Sequence, residues 1–185
     1  AMDVNSLLTA KWSRFFDLLD ENKDGLLEAK DFVAISEKIY VVYEANKQKM
    51  GMRVLLKRSD RLFNRLLFEM HLMGEGALTK EDWFKWLKTN LSQGVESRAY
   101  RRLTYQIFNE LFTVCDQNKD GFLSREELAD LYHIFGIEET DASMAFRYID
   151  ENNDGKISKA EFLEGIREYF TNIEEEQTVF GEVKA

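Results

Sequence analysis

The residues of this chain that can do chemistry are carboxylates and amides set at alternate positions of short loops. Across residues 150–161, Asp150, Asn152, Asp154 and Ser158 stand at loop positions 1, 3, 5 and 9, with Gly155 at position 6 and Glu161 at position 12. Alternate residues of a tight loop aim three oxygens at one point, and the position-7 carbonyl of Lys156 adds a fourth. A hard cation such as Ca2+ takes six to eight oxygens, the sharp turn at position 6 needs glycine, and a terminal glutamate closes the shell with two oxygens. The pattern recurs at 116–127, with Asp116, Asn118, Asp120, the Phe122 carbonyl, Ser124 through its side chain or a water, and Glu127. It recurs again at 20–31, with Asp20, Asn22, Asp24, the Leu26 carbonyl, Glu28 and Asp31. Asp31 is one methylene shorter than glutamate, so it reaches an ion less easily with both oxygens. The first loop is expected to hold a smaller, six-coordinate shell that is more tolerant of Mg2+.

A fourth loop has decayed. Taking Gly76 as position 6 puts His71, Met73 and Glu75 at positions 1, 3 and 5 and Asp82 at position 12. Imidazole and thioether are softer donors than oxygen and hold Ca2+ poorly. Residues 71–82 are therefore expected to keep the loop shape and bind no metal.

Loops of this kind are delivered by helices. Leu8, Trp12, Phe15, Phe16 and Leu19 recur on one side of a helix over 5–19. Further helices are expected at about 30–47, 53–71 and 97–115, then after Glu127 as far as Gly136, and on both sides of the 150–161 loop. Thr140 is the expected cap of the helix that enters that loop, with Met144, Ala145, Tyr148 and Ile149 turned inward. Ser124 with Glu127, and Ser158 with Glu161, form capping boxes, so one bond network starts each exiting helix and closes each loop. The apolar residue at position 8 (Leu27, Leu78, Leu123, Ile157) pairs loops back to back through short β contacts. The expected fold is all-α, with four helix–loop–helix units in two pairs packed into one compact body. The first pair spans 1–92, the second 93–170, and a tail 171–185; Ser92-Gln-Gly94 marks a short break between the pairs.

The bulk composition agrees. The 185 residues hold 14 Phe, 7 Tyr and 3 Trp but no proline, which suits long helices around an aromatic core. No apolar run approaches a membrane span. The single cysteine, Cys115, excludes an intramolecular disulfide framework and fits a reducing cytoplasm as a buried thiol. The net charge of −9 argues against nucleic acid as a partner. It divides into +1 over residues 1–90 and −10 over 91–185, which reads either as acidic Ca2+ loops in the second half or as attraction that packs the halves together. Residues 44–65 carry Lys47, Lys49, Arg53, Lys57, Arg58, Arg61 and Arg65 against Glu44 and Asp60. That basic segment reads either as a solvated helix face or as a contact for an anionic membrane or an acidic protein.

Three complete loops and one decayed loop in register identify an EF-hand protein. The long helical insertion between the first two hands, the decayed hand with Thr79-Lys-Glu-Asp-Trp83, and the close third and fourth hands resemble the invertebrate sarcoplasmic calcium-binding proteins, nearest the calexcitin branch. The tail, with Tyr169-Phe-Thr-Asn and Val179-Phe-Gly181, is similar to the one those proteins fold back onto the body. The resemblance implies a monomeric cytosolic Ca2+ buffer or signalling protein with an aromatic core.

Three functions are weighed. The first is a Ca2+ buffer or signal protein with three ions, or, as a variant, a sensor that opens a target surface. The second is a Ca2+-triggered carrier of an apolar molecule, like the related coelenterazine-binding proteins, motivated by Trp12, Trp83 and Trp86. The third is an enzyme; no nucleophile, paired catalytic carboxylates or phosphate-cradling glycine loop is present to carry it, and the expected answer is no.

Overall fold

The structure, a computed structural model, describes residues 4–91 and 95–185. The break expected at Ser92–Gly94 lies outside the described residues. The chain runs α1 (Ser6–Leu19), β1 (Leu26–Leu27), α2 (Ala29–Ala45), α3 (Met52–Glu69), β2 (Leu78–Thr79), α4 (Lys80–Asn90), α5 (Arg98–Cys115), β3 (Phe122–Leu123), α6 (Arg125–Ile134), α7 (Glu139–Ile149), β4 (Ile157–Ser158), α8 (Lys159–Thr171), β5 (Gln177–Thr178) and β6 (Gly181–Glu182). Helices dominate, and the described strands are two-residue antiparallel pairs. The pairs join Leu27 with Leu78 and Leu123 with Ile157, the position-8 residues of adjacent loops. None of the described helices is long and apolar enough to cross a membrane.

The described residues form two compact units whose boundary falls inside α1 and α5. The first unit holds Trp12–Gln106. Its core is aromatic because the stripe of α1 meets that of α4. Phe15 lies 5.6 Å from Trp83, Trp83 stacks on Trp86, and the Trp83 indole N–H donates to the Trp12 carbonyl at 3.1 Å. The insertion between the first two loops is the packed pair α2–α3, joined by Phe32 against Phe63 at 4.9 Å.

The second unit holds Val4–Lys11 and Ile107–Ala185. Here the tail forms a hairpin, β5–β6, that the alternation of the sequence does not announce. Val179, Phe180 and Val183 are buried. Phe180 packs on Phe108 and Tyr169, and the Tyr132 hydroxyl donates to the Val179 carbonyl at 2.7 Å. Gly165 marks where the tail crosses α8: a Cβ there would rest against the Val179 side chain at 3.4 Å. The N-terminal segment ties down the same tail. The Asn5 amide caps α1 at the Leu8 N–H and also donates to the Ile173 carbonyl at 2.7 Å. Lys11, 1% exposed, donates its ammonium to the Asn172 carbonyl at the end of α8 at 2.8 Å. Burial pushes its pKa down, while Glu168 and Glu175 push it back up.

Two expectations are corrected. Thr140 does not cap α7: Gly136, at φ +70°, ends α6, and the chain re-enters helix at Glu139 behind Glu138. Met144 is not inward but 49% exposed, because α7 turns Ala142, Ala145, Phe146 and Ile149 into the core.

Candidate metal centres

Three loops gather carboxylates to a point. Asp20, Asp24 and Asp31 form one group; Asp116, Asp120 and Glu127 a second; Asp150, Asp154 and Glu161 a third. Within each group the oxygens lie within 4.8 Å of one another. The convergence is built by local bonds. The position-6 glycines Gly25, Gly121 and Gly155 sit at φ +83°, +86° and +82°, a region costly for any residue with a Cβ. Each donates its N–H to the position-1 aspartate (Asp20, Asp116, Asp150) at 2.9, 2.9 and 3.0 Å. Position 4 (Lys23, Lys119, Asn153) is also left-handed. The side chains of Asn22, Asn118 and Asn152 each donate to the position-5 aspartate, so positions 3 and 5 are locked together. That aspartate accepts the position-7 N–H of Leu26, Phe122 or Lys156, which leaves the carbonyl of the same residue for an ion.

The closing residue distinguishes the loops. Glu127 reaches across to the Gln117 N–H at 2.6 Å and holds the Ser124 N–H at 3.0 Å. Glu161 does the same with Glu151 at 3.0 Å and Ser158 at 2.9 Å. Asp31 holds the Glu28 N–H at 3.0 Å but touches the far side of its loop only at Asn22, at 3.4 Å. The missing methylene is visible as that weakened span. The position-1 aspartates differ as well. Asp116 and Asp150 each accept the position-5 N–H on Oδ1, whereas Asp20 Oδ1 is buried with no hydrogen-bond partner. Lys30 sits 3.3 Å from Asp24 and 3.0 Å from Glu28, an ion pair at the rim of the first loop.

The donor sets fit a hard divalent cation. All are oxygens, and the orphaned Asp20 Oδ1 lacks only a positive partner. Burial pushes the Asp31 carboxyl above the usual carboxylate range, and the charges of Asp20 and Asp24 push it further, against the bonds from Glu28 and Asn22. Converging like charges of this kind disfavour one another's ionised form, a cost that a bound cation would relieve.

In the loop at 71–82 the position-1 residue plays a different part. His71, at φ +58°, is the left-handed residue that terminates α3: the Leu72 N–H bonds to the Leu67 carbonyl at 2.8 Å and the His71 N–H to the Phe68 carbonyl at 3.1 Å. Position 1 thus serves as a helix stop. Asp82 keeps the capping box with Thr79, so this loop starts its exiting helix as the others do. Cys115 is buried, and burial pushes its thiol well above the ordinary value, consistent with the structural role expected.

Paired helix–loop–helix units, strand contacts at position 8 and three oxygen-lined loops define the EF-hand fold. Residues 104–167 match the EF-hand domain pair family. Among known proteins the chain is 25% identical to calerythrin of Saccharopolyspora erythraea over 166 residues, covering 90% of this chain and 93% of the relative. Solved structures share the fold: the coelenterazine-binding protein of Renilla muelleri in its Ca-loaded apo form (TM-score 0.70, 19% identity, 95% of this chain and 94% of that one). A sarcoplasmic calcium-binding protein from amphioxus matches with a TM-score of 0.66 at 16% identity, over 92% of each chain. The chain thus resembles calerythrin in sequence and shares its fold with the amphioxus protein.

Proposed function

We propose that the protein binds three Ca2+ ions, through loops 20–31, 116–127 and 150–161, and serves as a monomeric cytoplasmic calcium buffer or signalling protein without enzymatic activity. The observation that carries this reading is the convergence of three all-oxygen cradles, each closed by its own backbone bonds. The expected ligands are Asp20, Asn22, Asp24, the Leu26 carbonyl, Glu28 and Asp31; Asp116, Asn118, Asp120, the Phe122 carbonyl, Ser124 and Glu127; and Asp150, Asn152, Asp154, the Lys156 carbonyl, Ser158 and Glu161. Asp31 makes the first site the Mg2+-tolerant one. Three divalent ions bring the net charge from −9 to about −3, so loading relieves self-repulsion and stabilises the fold.

The buried tail favours buffering over sensing. A sensor opens its paired helices to expose an apolar groove on binding Ca2+. Here Val179, Phe180 and Val183 already fill the second unit between its own helices. Calorimetric titration with Ca2+, with and without Mg2+, tests the count: three sites with one occupied by Mg2+ support it, and two sites would show that Asp31 disables the first loop. A hydrophobic-dye titration tests the role: strong Ca2+-dependent dye binding would replace the buffer reading with a sensor.

A further inference from the structure

We propose that the exposed face of α3 is a docking strip for anionic lipid bilayers. At 3.6 residues per turn, Val54, Lys57, Arg58, Arg61, Arg65 and Phe68 fall within an arc of about 100° and along about 21 Å of helix. Leu55, Phe63, Leu66 and Leu67 on the other side are buried in the first unit, so the strip is the outer face of a firmly packed helix. Lys57 and Arg61 are exposed at its centre. The apolar side chains at its two ends are exposed as well, Val54 at 47% and Phe68 at 60%. The Arg65 guanidinium lies 5.7 Å from the centre of the Phe68 ring, which keeps cation and aromatic on one surface.

The order apolar, cationic, apolar along the outer face of one helix suits a plane of phosphates above a hydrocarbon boundary. Lys57 and Arg61 take the headgroups, Arg65 stays paired with Glu69 at 3.4 Å, and Val54 and Phe68 enter the interface. An acidic peptide is better served by a concave bed. The recess of about 740 Å³ beside Phe68 adjoins only that end of the strip, being lined by Leu72, Trp86 and Arg102 and not by residues 54–65. The whole-chain charge of −9 opposes approach to an anionic membrane, and three bound Ca2+ ions remove most of that opposition. The Ca2+ dependence therefore rests on the three-ion reading, whereas the strip itself does not.

The test is sedimentation of the full chain with vesicles of phosphatidylcholine alone or with 30% phosphatidylserine, at low and high salt, with and without Ca2+. Binding is expected only to the serine-containing vesicles, weaker at high salt and tighter with Ca2+. Each cation is worth about a factor of five in affinity, so Lys57→Gln with Arg61→Gln should weaken binding about 25-fold. Phe68→Ser should weaken it too. Lys85→Gln with Lys88→Gln, on α4, should change it less than about threefold. Circular dichroism and calorimetric Ca2+ loading of each variant check the fold and the ion sites separately. Equal binding to both vesicle types, no binding under any condition, or full binding by the Lys57/Arg61 variant overturns the proposal. So does displacement from the strip by a glutamate decapeptide at lower concentration than the vesicles require, which would reassign the surface to an acidic protein. If the variants lose vesicles but load three ions normally, the strip is upheld independently of the metal sites.

Discussion

Replacing Asp31 with glutamate should convert the first loop into a copy of the other two. In those, the closing glutamate spans the loop to the position-2 N–H, Glu127 to Gln117 at 2.6 Å and Glu161 to Glu151 at 3.0 Å. Asp31 reaches its loop's far side only at 3.4 Å. One added methylene lets the carboxylate make that bond and offer both oxygens to an ion. A hydrogen bond to a charged group contributes about 1.5–3 kcal/mol. Asp31 is 1% exposed, and the extra methylene must be fitted among its neighbours, which costs about 1–3 kcal/mol. That cost bears on the fold whichever ion is bound and largely cancels between Ca2+ and Mg2+. The gain of a second oxygen favours the larger ion, since Mg2+ demands near-octahedral geometry. The Ca2+/Mg2+ affinity ratio of the first site should therefore rise roughly tenfold, about 1.4 kcal/mol. The assay is competitive calorimetry of parent and variant, with the Gly25 amide resonance followed to assign the site. A ratio unchanged within about twofold would refute the argument that chain length at position 12 sets the shell.

Other outcomes follow from particular contacts. Phe180→Ala removes a buried ring held between Phe108 and Tyr169, and should cost about 3–5 kcal/mol in urea unfolding while raising dye binding in the loaded protein. Gly121→Ala meets no atom within 4 Å, but its φ of +86° penalises a Cβ by about 1–2 kcal/mol; the Gly121 loop should lose roughly tenfold in Ca2+ affinity by calorimetry, with the Gly25 site unchanged. Arg102 grips Glu69 with two bonds of 2.9 and 2.8 Å, and chiefly through them holds its carboxyl below the ordinary 4.5, against the opposing effect of burial. A depressed carboxylate contributes stability that is present above its unfolded value and lost as pH falls through the folded one. Arg102→Gln should therefore lower the urea midpoint at pH 6, with the difference from the parent shrinking as pH falls below 4.5 through the folded value of Glu69.

The ion loops were legible in the sequence because nearly everything that shapes them is local. The glycine at position 6, the paired asparagine and aspartate, and the serine–glutamate boxes all bond within twelve residues, so spacing alone specifies them. Strand pairing at position 8 followed from the same register. The departure of the fourth loop from the pattern was also visible in His71 and Met73. The left-handed stop at His71 depends on how α3 ends and needed the structure.

What tertiary structure alone decided are the contacts between residues far apart in the chain. Nothing in the spacing of α1 marks Lys11, yet it is buried against a carbonyl 161 residues away. Met144 reads as core and is exposed, because which face of α7 is covered depends on the tail and neighbouring helices arriving beside it. The tail carries no periodic signal; its hairpin is anchored where Phe180 packs on Phe108 of α5 and Tyr169 of α8, with Val179 against α8 at Gly165. Local hydrogen bonds are specified by spacing along the chain, whereas burial is a property of whatever the rest of the fold brings alongside.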